Sequence, residues 1–262
     1  MRNVPISERS FSVVARNSRR KEALTDRGTA QQRKMEPPYV GCYEISEICG
    51  RRSLAFLRQR PEIMFFVFLI AIFNVPVLFG TVWSSMVFQP EAVRAGEWWR
   101  LVTHPFVHLT WYHLLLDGTA FLSLYCSLLE RRIFVRLAYV VAAAAGSLLA
   151  SWIASPGALT NGLCGLSGVA HGLMAISAME MLAGEKAEMR IGWICLVMVI
   201  GKGAFEAISG RMFFGFLDFG LLGSPVAVSH AGGIVGGLIA MLALRNNWWS
   251  ADIRVRSKRV SP

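Results

Sequence analysis

The sequence predicts an all-α integral membrane protein: a bundle of six transmembrane helices whose first outer loop lies in the membrane interface. Three observations carry this. Apolar residues make up 54% of the 262-residue chain and charged residues only 17%, below the roughly 25% charged of soluble domains. The apolar residues are bunched, with no charge from Ile63 to Val82, only Arg136 from Phe134 to Ile153, and only Glu180 from Leu163 to Leu182. Such runs match the about 20 residues a helix needs to cross a hydrocarbon core of about 30 Å. Basic residues, finally, gather in alternate connections between the runs, as the orientation rule for membrane helices requires.

Residues 1–60 hold thirteen Lys or Arg against six Asp or Glu and read as a basic, disordered cytoplasmic arm. Its opening residues lack the continuous apolar stretch of a signal peptide. Because the arm abuts a membrane span, anionic lipid of the bilayer is its expected partner, and nucleic acid is not. The core is expected over residues 61–245, with spans near 63–82, 111–129, 134–153, 163–182, 191–208 and 226–244. Residues 246–262 form a basic cytoplasmic tail. Arginines in the Glu130–Arg136 turn, charges in the Glu185–Arg190 turn and the tail all fall on the side of the arm, so both termini are predicted to be cytoplasmic, in a bacterial inner membrane. Connections 83–110, 154–162 and 209–225 then face outward. The first is rich in tryptophan and interrupted by Pro90, Gly96 and Pro105, which suits an element lying in the interface plane.

On this orientation Ser167 falls about one turn into span four from its outer end, and His230 about one turn into span six. His113 lies at the outer start of span two. All five histidines, at 104, 108, 113, 171 and 230, belong in or near the outer half. Polar groups are costly in a bilayer, so such a cluster is a functional candidate. Gly168 and Gly172 form one GxxxG face in span four, and Gly232, Gly233, Gly236 and Gly237 form two interleaved faces in span six. Faces of this kind let helix backbones approach closely. If spans four and six pack together, Ser167 meets His230 at one depth, and a neutral imidazole turns a serine hydroxyl into a nucleophile. No third acid is demanded, since packing can fix the ring.

Other readings stay open on the residues alone. His104 and His108, four apart and followed by His113, are metal-ligand types, although HPFVH lacks the glutamate of the HExxH peptidases. Lys202 and Glu206, four apart on one face of span five, are expected to pair with each other as a neutralised structural pair, with a gate or substrate contact as the alternative. The five cysteines, at 42, 49, 126, 164 and 195, contain no CxxC and read as free thiols and small apolar fillers.

Three blocks in order resemble the rhomboid family of intramembrane serine proteases: WWRLVTHPFVHLTWYHLLLD, GLSG around Ser167, and HAGGIVGGL beginning at His230. The resemblance covers residues 63–245. It implies a Ser167 nucleophile and a His230 general base acting without cofactor or metal on membrane-anchored protein substrates near the outer face. It also implies an oxyanion site from the Ser167 backbone N–H and His113, supported by Gly165 of the GLSG block and by the residue four after His113. That residue is usually asparagine in the family and is Asp117 here, a carboxylate that repels an oxyanion when ionised. His171 replaces a usual aromatic below the serine, where it can support the His230 ring. SGVAHG instead resembles the rhombosortase branch, as do the SPVAVSH segment before span six and the Lys202/Glu206 pair. That branch implies processing of proteins ending in Gly-Gly, an apolar span and a basic tail. The Asp117 departure also leaves room for a catalytically inactive member that binds transmembrane helices, and the histidines for a metal-binding membrane protein.

Overall fold

The chain divides into two units, Met1–Ser53 and Leu54–Pro262, and the computed structural model describes residues 60–154, 162–214 and 226–259, all within the second. The expected arm lies outside the described residues except for Arg60, as do most of connections 154–162 and 209–225 and the side chains beyond Leu244.

The helices in order are α1 (Pro61–Phe73), the short α2 (Pro90–Arg94) and α3 (Arg100–Thr103), then α4 (Trp111–Ser127), α5 (Ile133–Ala154), α6 (Ser167–Met181), α7 (Lys186–Ser209) and α8 (Val228–Arg259). A helix therefore occupies each expected apolar segment. Three helical stretches are long and apolar enough to cross a membrane: Pro61–Phe79, which continues α1 through a 3₁₀ turn, then Ile133–Ala154 and Lys186–Ser209. The apolar part of α8, Val228–Leu244, is shorter, and α4 and α6 have 17 and 15 residues. The described residues thus hold three clear spans and shorter apolar helices where six full spans were expected.

Backbone chemistry accounts for the shortness of α6. Gly162 and Gly165 take φ of 79° and 101°, a left-handed region that breaks a helix and suits glycine. Leu163 exchanges backbone hydrogen bonds of 3.0 Å each way with Phe88 of the outer connection. Residues 163–166 are therefore a non-helical entry to the helix, which starts at Ser167. The expected depth of one turn is corrected to the first residue. His230, likewise, is the third residue of α8, and His113 the third of α4.

Glycine faces set how the helices meet. A Cβ added to Gly233 would run into the Gly168 carbonyl, and one at Gly237 would lie 2.7 Å from the Gly172 carbonyl oxygen, so this face of α8 lies directly on α6. The interleaved face does a different task. Added Cβ atoms at Gly232 and Gly236 would strike the carbonyls of Gly146 and Ala142 on α5. Helix α8 is thus wedged between two partners by its two glycine stripes.

At the opposite end, Arg136 is only 2% exposed and pairs with buried Glu62, whose Oε1 also accepts from Tyr125 Oη at 3.2 Å. One of the three arginines counted toward orientation is therefore an internal tie between α1, α4 and α5. Arg60 donates to the carbonyls of Tyr125, Cys126 and Leu128 at 3.1, 3.1 and 2.8 Å, satisfying the exposed carbonyls at the end of α4. Phe66 packs edge-on against Phe121 and Tyr125, with centroids 5.1 and 5.0 Å away, and joins α1 to α4.

Candidate active site

The outer connection holds the entry to α6 in place. Arg100 of the WWR block is 6% exposed, and its Nη1 donates to the carbonyls of Ser84 and Val87 at 2.7 and 2.6 Å. Its Nε donates to Glu97 at 2.7 Å, and Thr103 Oγ1 to the Met86 carbonyl at 2.9 Å. These bonds fix Val87 and Phe88, and Phe88 pairs with Leu163. The Gly165 N–H then donates to the His104 carbonyl at 3.1 Å. The His104 ring donates from Nδ1 to the Arg100 carbonyl at 3.1 Å; burial pushes its pKa down to about 4, the hydrogen bonds to the Arg100 and Leu101 carbonyls only partly opposing this. A neutral, buried His104 is thus a brace between the connection and the serine segment. Around it Trp98, Trp99 and Trp111 stay 64%, 48% and 61% exposed, as interfacial residues do.

A cavity of about 360 Å³ opens beside the start of α6, lined by Ser167, His171, Lys202, Glu206 and His230 and also by His113 and Asp117. The two expected site residues Ser167 and His230 are therefore brought together on the helices whose glycines touch. His171 lies with its ring stacked on His230, centroids 4.0 Å apart and planes 16° from parallel.

Hydrogen bonds assign the ring tautomers in this group. His171 Nδ1 lies 2.7 Å from the Ser167 carbonyl and must donate there, so its Nε2 accepts from Lys202 Nζ at 2.8 Å. Lys202 also donates to both carboxylate oxygens of Glu206, at 2.7 and 2.8 Å. Glu206, fully buried, accepts in addition from the Phe213 N–H at 2.9 Å and from His230 Nδ1 at 2.7 Å. The expected Lys202/Glu206 pair is present, and it also reaches both histidines.

Across the cavity, Thr110 caps α4 by accepting from the His113 N–H at 3.1 Å. His113 Nδ1 accepts from the Leu109 N–H at 3.4 Å, which leaves its Nε2–H facing Asp117 Oδ2 at 3.1 Å. His108 Nε2 is 3.7 Å from the same oxygen. A Cβ at Gly165 would sit 2.8 Å from His113 Nε2 and 2.9 Å from Asp117 Oδ2, so only glycine lets the serine segment press on this pair. The His108 ring and backbone both donate to Asn74 Oδ1, at 3.2 and 2.9 Å, while Asn74 Nδ2 donates to the carbonyls of Ile70 and Phe106. Burial pushes His108 down to about 4 despite the opposing Asp117 carboxylate. Sequence reasoning missed Asn74; its signal was a lone amide interrupting the charge-free run Ile63–Val82.

The alternative metal-binding reading rested on His104, His108 and His113. Among the described residues the group with convergent ligand atoms is instead His171, Glu206 and His230, within 4.8 Å of one another. The Lys202 ammonium is bonded to two of these three and lies 3.4 Å from the third, at His230 Nδ1, filling the position a cation would take. Cys126, Cys164 and Cys195 are free thiols, and Cys164 lines the cavity.

Apolar helices that enclose a polar, histidine-rich cavity define an integral membrane protein carrying its chemistry between helices. The Rhomboid domain family model matches residues 95–247, more than half of the chain. The protein belongs to the rhomboid family, a family of intramembrane serine proteases. Neither a curated protein nor a solved structure matches the chain.

Proposed function

We propose that the protein is an active serine endopeptidase that cleaves membrane-anchored proteins near the outer face, with Ser167 as nucleophile and His230 as general base. The observation that carries this is the shared cavity: Ser167 and His230 line it together, on α6 and α8, whose glycine faces touch. As the Ser167 Oγ attacks the scissile carbonyl carbon, its proton passes to His230 Nε2. The tetrahedral intermediate collapses with rupture of the C–N bond, and His230 returns that proton to the leaving amine. Water then repeats the sequence on the acyl-enzyme and frees Ser167.

The developing oxyanion is served by the N-terminus of α6. Leu166, the residue before it, provides no side-chain cap, so the first N–H groups, that of Ser167 included, face outward with the positive end of the helix dipole. The 3.1 Å approach of His113 Nε2 to Asp117 Oδ2 supports a reading of Asp117 as the acceptor that orients His113, with Gly165 giving both room. His171, stacked beneath His230, supports the base ring. A substrate must leave its helical form to present a carbonyl, because a membrane helix keeps its backbone groups bonded internally.

The SGVAHG block and the engagement of His171 by Lys202 favour the rhombosortase branch, and therefore substrates with Gly-Gly ahead of an apolar span and a basic tail. Glycine there weakens the helix at the cut. The test co-expresses the full chain with a tagged single-span reporter carrying that signal, and with a copy in which Gly-Gly is Leu-Leu. Cleavage of the first reporter alone, abolished by Ser167→Ala and by His230→Ala, is the expected result. Equal cleavage of both reporters removes the sorting specificity. Cleavage by the Ser167→Ala protein removes the protease reading.

A further inference from the structure

Resting on that reading of Ser167 and His230, we infer that Glu206 is the third member of the catalytic group: it positions His230 by accepting its Nδ1–H, and Lys202 holds the carboxylate in place. The family resemblance calls for two residues, and the i, i+4 spacing of Lys202 and Glu206 offers a self-sufficient ion pair. The geometry goes beyond both.

Glu206 takes hydrogen bonds from three directions. Lys202 approaches from one turn earlier on α7, the Phe213 N–H from the segment after α7, and His230 from α8. The 2.7 Å contact between His230 Nδ1 and Oε2 is short enough for a charge-assisted bond, whereas Lys202 Nζ is 3.4 Å from the same nitrogen. Nδ1 therefore carries the proton and gives it to the carboxylate, and the lone pair of His230 is on Nε2, the nitrogen left to accept the Ser167 proton. When that proton arrives, the imidazolium has the carboxylate of the buried Glu206 already in place. Proton counting is unchanged: Glu206 stays ionised throughout and moves no proton.

Lys202 supplies what a lone buried carboxylate lacks. An unpaired charge at this depth is strongly disfavoured, and the ammonium neutralises it while donating its remaining proton to His171. His171 in turn is locked to the Ser167 carbonyl and stacked on His230. The chain from α7 to α6 to α8 thus fixes the tautomer and the tilt of the base ring. In a general structural pair none of these contacts would need to reach His230.

The experiment compares labelling of the full chain by a fluorophosphonate probe in detergent, as the limiting rate at saturating probe and the probe concentration at half-maximal rate. Glu206→Gln keeps the shape, but Lys202 draws the amide oxygen and turns the NH₂ toward Nδ1. That favours the tautomer with a proton on Nε2, which cannot act as the base. The limiting rate is expected to fall about 100-fold or more, with the half-maximal concentration nearly unchanged. The double variant Lys202→Met/Glu206→Leu separates positioning from structure, because a purely structural buried pair can be replaced by apolar residues with little loss. It is expected to fold as judged by thermal unfolding and still to label about 100-fold slower. Lys202→Met alone, which leaves the carboxylate at Nδ1, is expected to be slowed less than Glu206→Gln. Wild-type labelling rates in the double variant, or a larger loss in Lys202→Met than in Glu206→Gln, overturn the assignment of Glu206 while leaving Ser167 and His230 in place. A wild-type chain that does not label at Ser167 overturns the protease reading, and this inference falls with it.

Discussion

Replacing Gly233 by alanine forces α8 away from α6 at the point where Ser167 and His230 are brought together. The added Cβ would lie 2.6 Å from the Gly168 carbonyl carbon and 3.2 Å from its Cα. Carbon atoms in contact prefer about 3.5–4.0 Å, so the helices must separate by about 1 Å, and the obstacle is backbone that cannot rotate aside. Overpacking of this kind costs about 1–3 kcal/mol. The displacement acts on the chemistry more sharply than on the fold, since a misplacement of about 1 Å can lower a rate about 100-fold. Gly201→Ala is the matched control: it is a helical glycine of α7 whose added Cβ meets nothing within 4 Å. Removing a helical glycine there should be neutral or stabilise by up to about 1 kcal/mol. The assay is thermal unfolding in detergent together with fluorophosphonate labelling of both variants. Gly233→Ala is expected to lose stability and most labelling, and Gly201→Ala to lose neither. If the two variants behave alike, the glycine face is not what sets the serine–histidine geometry.

Arg100→Ala removes two charge-assisted bonds to the Ser84 and Val87 carbonyls; about 2–4 kcal/mol of stability should be lost, with slower labelling because the Phe88–Leu163 bridge loosens, and labelling at the wild-type rate would contradict the bracing role. Asp117→Asn keeps an oxygen for His113 and adds an N–H₂ that can face the oxyanion, so labelling is expected to quicken about tenfold; a slower variant would show that the carboxylate itself is required. Stability should fall with acidity: His104 and His108 titrate at 6.5 when unfolded and about 4 when folded. Between these values the unfolded chain binds more protons than the folded one, so stability is full above pH 6.5 and declines toward pH 4, by up to about 3 kcal/mol for each histidine. A melting temperature that is flat or rising from pH 7 down to pH 4.5 would contradict their buried, neutral state.

The helices were legible in the sequence because bilayer burial writes them as charge-poor apolar runs, and the glycine repeats pointed to α6 and α8 as helices that touch. The start of α6 was not legible. Its apolar residues at Leu163 and Leu166 continue the hydropathy of a span, while Gly162 and Gly165 take conformations that only backbone geometry discloses. Gly232 and Gly236 could not be told from Gly233 and Gly237 by spacing, yet they face α5 and not α6. Asn74 lay hidden as one amide among apolar residues, although it anchors His108. Glu206 was visible as a charge, and its expected pairing with the lysine four residues earlier is present, but that pairing does not reveal its further partners. What spacing along one helix cannot convey is that His230, on another helix, points its Nδ1 into the same carboxylate.

The measurement that bears most directly on the central claim is mass-spectrometric mapping of the fluorophosphonate adduct on the detergent-solubilised full chain. The account expects a single adduct on Ser167, absent in Ser167→Ala and strongly reduced in His230→Ala. Equal labelling of all three proteins, or an adduct on another residue, would contradict it.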